Sequence, residues 1–375
     1  MKIEKSNIKG IGLDRFRLSK VNVKSIDFKK FKESGGTYIM GIRGKHYFEI
    51  VDSNSGEILH LKNLFININS DREGYLQGEK NYIINLSFKR DNKSSDFRCV
   101  VEVTAPKLFR GTNEENVNSS EELERIPQVL VEKCKSVGIE IELGYEIVTY
   151  IEVNYNIHKE GFKNTFGFLK KVFVESNKVV FEASDREGIR SMMFFSESGN
   201  KTRKVKVYDK TKHLNDTNQI TNYDSTYRIE VSTNHTSTLL YYFRSPRRDL
   251  VSMCKIFQDR FVDFFLNTVK NELVKPYFLY KAEVVEYVVL QMEQSENTTD
   301  LLLKLSMDNV LFDVDLLREA IKIYANKKGH DNKYSSNMYR RLVGKLERVN
   351  PHQYGLMINN CKMIEELFKE FGFET

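Results

Sequence analysis

The chain contains no tryptophan and only five prolines and four cysteines in 375 residues. Cys99, Cys134, Cys254 and Cys361 form no Cys-x-x-Cys pair and no Cys/His ligand spacing, which argues against a zinc site and against a disulfide framework. None of the seven histidines sits in a His-hydrophobic-His pair, so the two-histidine metal motif is absent. There is no GxxxxGK[ST] loop either, which leaves autonomous nucleotide hydrolysis without support. No run approaches the roughly 18 apolar residues of a membrane span, and Met1-Lys2-Ile3-Glu4-Lys5 opens no apolar signal segment. The expected setting is the reducing cytoplasm, with no membrane partner.

What is present suits a soluble protein of two or three lobes, with 40% hydrophobic and 29% charged residues over 375 positions. A net charge of +6 and a pI near 8.8 permit a nucleic-acid partner without requiring one. The 19 tyrosines and 25 phenylalanines include candidate base-stacking platforms, although most are expected in the core.

Residues 10 to 90 are strand-rich, with alternation at Ile11 to Leu18, His46 to Val51 and Tyr82 to Phe88. Arg98 to Thr104 follows as a strand that Pro106 ends. Ser119 and Glu122 have capping-box spacing and open a helix carried by Leu123, Ile126, Leu130, Cys134 and Val137. Tyr145 to Ile157 alternates again, placing Ile151, Val153, Tyr155 and Ile157 on one face and Glu152, Asn154 and Asn156 on the other. Further strands are expected at Lys178 to Ala183, Arg190 to Glu197 and Thr202 to Tyr208, and another from Tyr227. Beyond Leu250 the period changes from two to 3.6, giving a run of helices. The pattern predicts an α+β fold, an antiparallel sheet with helices packed on one face, over residues 1–249, with lobes 1–117 and 118–249. A helical C-terminal domain is expected over 250–375.

The stretch from Lys201 to Asn234 concentrates the chemistry. Alternation puts Lys204, Lys206, Tyr208 and Lys210 on one face, and Arg228 and Glu230 on one face of the next strand. A phenol has a pKa of about 10 and attacks phosphorus poorly unless a neighbouring cation or metal favours the phenolate. Tyr208 has Lys206 and Lys210 two residues to either side. On spacing alone, with 19 tyrosines in the chain, a structural tyrosine on a solvated, lysine-rich strand is the better explanation. Glu102, Glu152 and Glu230 each interrupt an apolar strand. One such carboxylate ordinarily faces water, but three are a candidate set for a hard divalent cation such as Mg²⁺. Arg244, Arg247 and Arg248 follow a Tyr/Phe cluster as candidate phosphate contacts, as do Lys333, Arg340 and Arg341 farther on, although a charged helix face is the favoured reading of each set.

Taken in order, these segments resemble the gene II type of phage and plasmid replication protein, the rolling-circle initiators best represented among filamentous phages. Val101-Glu102-Val103-Thr104-Ala105-Pro106-Lys107 with Gly111-Thr112-Asn113 resembles that family's acidic strand running into an Ala/Ser-Pro-Lys and Gly-His-Asn-like turn. Tyr150-Ile151-Glu152-Val153 resembles its Arg-Ile-Asp strand, with Glu for Asp and Tyr for Arg. Val207-Tyr208-Asp209-Lys210 resembles its Tyr-x-Lys nucleophile strand, Tyr227-Arg228-Ile229-Glu230 its Arg-Phe-Glu strand, and Tyr339-Arg340-Arg341-Leu342-Val343 its Tyr-Arg-Arg-Leu segment. A looser similarity extends to plasmid trans-acting initiators and some relaxases.

The resemblance implies a Rep nuclease-like sheet and a DNA nicking and strand-transferring activity with Mg²⁺ or Mn²⁺. Tyr208 would be the nucleophile of a 5′-phosphotyrosine link, and Lys210 would favour its phenolate or bind a phosphate oxygen. Glu152 and Glu230, with Glu102, would hold the metal, while Lys206, Arg228, Arg244, Arg247 and Arg248 would contact DNA. The implied partner is origin DNA, single-stranded or as supercoiled duplex, with room for a host helicase or polymerase and for a homodimer. A conjugative relaxase with the same chemistry and a non-catalytic origin-binding initiator are the alternatives.

Overall fold

The computed structural model describes residues 10–33, 37–42, 48–69, 82–90, 97–112, 114–186, 188–196, 203–216, 225–243, 249–307, 314–349 and 360–373. The architecture is α+β, with a large antiparallel sheet and a helical C-terminal region. Up to residue 158 the elements are β1 (Gly12–Ser19), β2 (Asn22–Ile26), α1 (Phe28–Glu33), β3 (Thr37–Ile42), β4 (Phe48–Val51), β5 (Ile58–Asn69), β6 (Tyr82–Arg90), β7 (Phe97–Thr104), α2 (Ala105–Arg110), α3 (Ser120–Ser136), β8 (Ile139–Glu142) and β9 (Ile147–Ile157). Then come α4 (Phe166–Glu175), β10 (Lys178–Asp185), β11 (Gly188–Ser196), β12 (Lys204–Asp209), α5 (Lys210–Asp216), β13 (Tyr227–Thr233) and α6 (Thr236–Phe243). The helical half comprises α7 (Leu250–Cys254), α8 (Phe257–Val269), a π-helical turn at Lys270–Val274, α9 (Lys275–Gln294), α10 (Thr298–Met307), α11 (Val314–Lys327), α12 (Asn332–Val349) and α13 (Asn360–Glu370).

The chain divides into two compact units. One takes Lys9–His158 and Asn200–Asn267, and the other is built on Lys159–Gly199 and Thr268–Thr375. This division differs from the boundary at 249/250 suggested by the change of period. Periodicity reports which kind of element forms, not which core it joins. The β10–β11 hairpin and α4 fall in the strand-rich part of the sequence but pack on one another and, through α4, on the later helices: Phe173 of α4 stacks on Phe194 of β11 at 3.6 Å, and Phe168 of α4 meets Tyr277 of α9 edge-on at 6.2 Å.

In the strand-rich unit the strands run β12-β13-β9-β1-β7-β6-β5-β3, with β4 also on β5, and neighbours are antiparallel. Alternation gives the central strands two unlike faces. Leu13, Phe16, Leu18, Val101, Val103, Ile151, Val153, Val205, Val207, Ile229 and Val231 are all fully buried on the apolar side. Each such side chain contributes about 1.5–3 kcal/mol on leaving water, which fixes the register, because a slip of one residue would turn the whole set outward. The opposite face collects the polar residues of five strands.

Two local features shape that face. At the start of β1, a Cβ added to Gly12 would lie 2.4 Å from the Cβ of Asn116, so only glycine admits the crossing segment that exchanges hydrogen bonds between Leu13 and Val117. Just beyond it, the β1–β9 register shifts between Leu13 and Arg15. Leu13 is opposite Val153 and Arg15 opposite Glu152, which leaves Asp14 as the extra residue of a bulge. α3 begins where the capping box predicts, with the Ser119 hydroxyl accepting from the Glu122 amide at 3.2 Å, and it runs unbroken through Pro127.

Candidate functional site

Ladder register brings the polar residues together. Tyr208 on β12 is opposite Arg228 on β13, Lys206 is opposite Glu230, Glu230 is opposite Asn154 on β9, and Glu152 is opposite both Ser232 and Arg15. Directly opposed residues in antiparallel strands share a face, so all of these lie on one side of the sheet.

Three carboxylates converge there. Asp14, Glu152 and Glu230 each present an oxygen within 4.8 Å of the others, and all three are buried. Burial pushes the Glu152 carboxyl up, and the charge of Glu230 adds to it. Burial acts the same way on Glu230, but Lys206 and Arg228 outweigh it and hold that carboxyl low. Carboxylates brought this close together in a buried setting need cations around them. Arg228 supplies one from inside the protein: it is fully buried, with Nε donating to Asn156 Oδ1 at 2.7 Å, Nη1 3.4 Å from Asp14 Oδ1, and Nη2 donating to the Glu114 carbonyl at 2.8 Å. Arg15 and Lys107 flank the cluster. The charge of Arg15 survives burial because Glu152 and Asp14 favour it, whereas burial pulls the Lys107 ammonium down to about 8 against the pull of Asp14.

The donor set fits a hard divalent cation. All three groups are carboxylates, and among the described residues no histidine or thiol belongs to the cluster. A further observation concerns Asn154, fully buried on β9 between Glu152 and Glu230. Neither its amide oxygen nor its amide nitrogen has a hydrogen-bond partner. A buried amide without partners costs about 1–3 kcal/mol, and an oxygen ligand role for Oδ1 would remove part of that cost.

Tyr208 borders this group. Its hydroxyl donates to Glu230 Oε1 at 2.6 Å, and the side chain is 5% exposed. Burial raises the phenol above its ordinary range, and the Glu230 charge reinforces the effect. Cations stand over its ring: Lys206 Nζ lies 4.1 Å and Lys210 Nζ 5.9 Å from the centroid, and Lys206 also pairs with Glu230 at 3.5 Å. Lys210 is fully buried, and burial, together with Arg228, lowers its ammonium well below the usual lysine range. His213 meets the Tyr208 ring edge-on at 5.8 Å.

Tyr208, Lys206, Lys210, Glu152, Glu230 and Arg228, the residues singled out by pattern and motif, are thus neighbours in space, with three differences from expectation. Glu102 lies outside the carboxylate group and is engaged by Arg17 at 2.6 Å and Arg15 at 3.6 Å. Asp14 occupies the third position instead. Arg228 turns inward to the carboxylates rather than outward to the surface. Lys210 begins α5 instead of continuing β12, since Asp209 caps that helix by accepting from the Lys212 amide at 2.9 Å. Arg244, Arg247 and Arg248 lie outside the described residues.

No protein-family model matches this chain, and no curated protein does. Among solved structures it is similar to a rolling circle replication initiator protein from Geobacillus stearothermophilus, at 15% identity over 70% of this chain and 84% of that one, with a TM-score of 0.32.

Proposed function

We propose that the chain is a rolling-circle replication initiation protein, a metal-dependent DNA nickase and strand transferase that acts at an origin through a 5′-phosphotyrosine intermediate on Tyr208. The single observation that carries this reading is the hydrogen bond from the Tyr208 hydroxyl to Glu230, a member of a buried three-carboxylate cluster. It joins a nucleophile to a proton acceptor beside a cluster suited to a hard cation, the parts that attack on a phosphodiester needs. The motif order described above supports the same family.

In this reading Tyr208 Oη attacks the scissile phosphorus and its proton passes to Glu230 Oε1. The P–O3′ bond breaks, and the 3′ oxygen takes up a proton from water to become the hydroxyl that a polymerase extends. The 5′ phosphate stays on Tyr208, so the energy of the broken bond is kept for religation without ATP. Asp14, Glu152 and Glu230, with Asn154 Oδ1, would hold Mg²⁺ or Mn²⁺, which when bound polarises the phosphate and stabilises its developing charge. Lys206 stabilises the phenolate through the ring and offers positive charge to the phosphate oxygens, and Lys210, whose ammonium burial disfavours, joins it when an arriving phosphate favours protonation of the amine. Arg228 is a positioning residue that holds Asp14 and Asn156 in place. Arg15 does the same for Glu152 by countering its charge.

The test uses supercoiled DNA carrying the protein's own gene region, with Mg²⁺ or with EDTA. Metal-dependent relaxation by the wild type and none by Tyr208→Phe supports the reading. Relaxation by Tyr208→Phe at the wild-type rate removes Tyr208 as the nucleophile, and binding without relaxation by the wild type favours a non-catalytic initiator.

A further inference from the structure

We propose that α12 is a duplex-DNA-binding helix that lies in the major groove, presented by α11 as the second helix of a helix-turn-helix. It rests on the nicking reading only in taking DNA, among polyanions, as the partner. α11 ends in a Schellman turn, with the His330 amide donating to the Ala325 carbonyl at 2.9 Å and Gly329 left-handed at φ 71°. Asp331 then caps α12 by accepting from the Tyr334 amide at 2.8 Å. The connection is therefore Lys328 to Asp331, a short glycine-containing turn of the kind that joins such helix pairs. The two helices are held together by Arg318, whose guanidinium lies 4.5 Å over the Tyr339 ring and donates to its hydroxyl at 3.1 Å, and Leu342 is fully buried.

The other side of α12 is built for a polyanion. Lys333, Asn337, Arg340, Arg341 and Arg348 are exposed, and the last four lie four, seven, eight and fifteen residues beyond Lys333, which places them on one stripe with Arg340 and Arg341 at its two edges. The helix carries five basic residues against one acidic residue, Glu347. Asn and Arg are the residues that read adenine and guanine edges by paired hydrogen bonds, and Arg and Lys hold phosphates. A helix about 10–12 Å across fits a groove about 12 Å wide.

Gly344 supplies an independent observation. It lies on the same stripe, in the interior of an 18-residue helix, where glycine costs roughly 1 kcal/mol against alanine. A Cβ there would meet nothing within 4 Å, so no packing inside the protein requires the glycine. A bare backbone at the centre of a basic stripe suits close approach by another molecule.

The experiment measures binding of the full chain to a mixed-sequence 30-base-pair duplex by fluorescence anisotropy, in EDTA, over a range of KCl. The Arg340→Ala/Arg341→Ala protein is expected to bind at least tenfold more weakly and to lose about two from the slope of log K against log salt, roughly 0.9 for each phosphate contact. Gly344→Gln keeps the charge and favours the helix, so it is expected to weaken binding at least fivefold without lowering the melting temperature. Lys362→Ala/Lys369→Ala removes the same charge from α13 and is expected to bind as the wild type. A major-groove dye such as methyl green competes, and the minor-groove ligand distamycin does not. The proposal is overturned if the wild type does not bind the duplex, if the arginine or Gly344 variants bind as the wild type, if the α13 variant falls equally, or if distamycin alone competes. Because binding is read without metal or cleavage, failure of Tyr208 as nucleophile leaves this result standing, and the reverse also holds.

Discussion

Tyr208 and Glu230 are diagonal neighbours in the β12–β13 ladder: Arg228 is directly opposite Tyr208 and Lys206 directly opposite Glu230, yet the phenol crosses to donate to Glu230 at 2.6 Å. The diagonal brings the hydroxyl to the carboxylate cluster and leaves Lys206 over the ring. The β12–β13 register thus sets both the acceptor of the phenol proton and the cation beside it. In Tyr208→Phe only the hydroxyl is lost, so stability is expected to fall by about 1 kcal/mol in urea unfolding while covalent capture of DNA disappears. A stability loss several times larger would mean that the hydroxyl is chiefly structural.

Arg228 is the buried counter-ion of the cluster, so Arg228→Met removes its ion pair with Asp14 and its hydrogen bond to the Glu114 carbonyl. Breaking a buried pair in this way costs about 3–5 kcal/mol, which denaturant titration would detect. A change within about 1 kcal/mol would show that the carboxylates do not depend on it.

Asp14→Asn removes one of the three converging charges and is expected to weaken Mn²⁺ binding by at least about tenfold in calorimetric titration. Glu102→Gln should affect Mn²⁺ far less, because Glu102 is engaged by Arg17 and Arg15 instead. Its main effect is expected on stability, about 1 kcal/mol for a partly exposed pair. The opposite ranking would return Glu102 to the metal site.

This pair of residues marks what the sequence makes legible and what it does not. Period-two alternation identifies the faces of β12, of β13 and of β9 from Ile151 onward, where valine or isoleucine recurs at alternate positions. Asp14 is hidden by the bulge. Strict alternation along Gly12 to Leu18 puts it on the side of Phe16 and Leu18, and only the shift at Leu13/Arg15 turns it to the polar face. Arg228 is legible as polar but not as buried, because its partners Asp14, Glu114 and Asn156 come from distant strands and loops. Lys210 continues the alternation so well that it conceals the cap at Asp209, although Asp before Lys-Thr-Lys-His-Leu carries a helix-start signal. Strand order, which makes β1 the neighbour of β9, is a long-range property that no local pattern states.

All four cysteines are buried thiols that form no disulfide. Burial pushes the Cys134 thiol up to about 12 and raises Cys99 and Cys254 as well. The thiolate is the reactive form, so these native thiols stay protonated as pH rises through the ordinary thiol range near about 8.5. A thiol reagent is therefore expected to label these three cysteines slowly at pH 7 and at pH 9, with rapid labelling of all four only in denaturant. Fast labelling of Cys99 or Cys134 in the native protein at pH 9 would contradict their burial.

The proposed nicking activity requires a covalent bond between Tyr208 and DNA. The direct measurement is protease digestion and mass spectrometry of the protein after incubation with single-stranded and supercoiled DNA of its own gene region, in Mg²⁺ or Mn²⁺ and in EDTA. The expected product is a 5′-linked nucleotide on the peptide containing Tyr208, formed only with metal and absent from Tyr208→Phe. An adduct on any other residue, or none when the wild type demonstrably cuts the DNA, would contradict it.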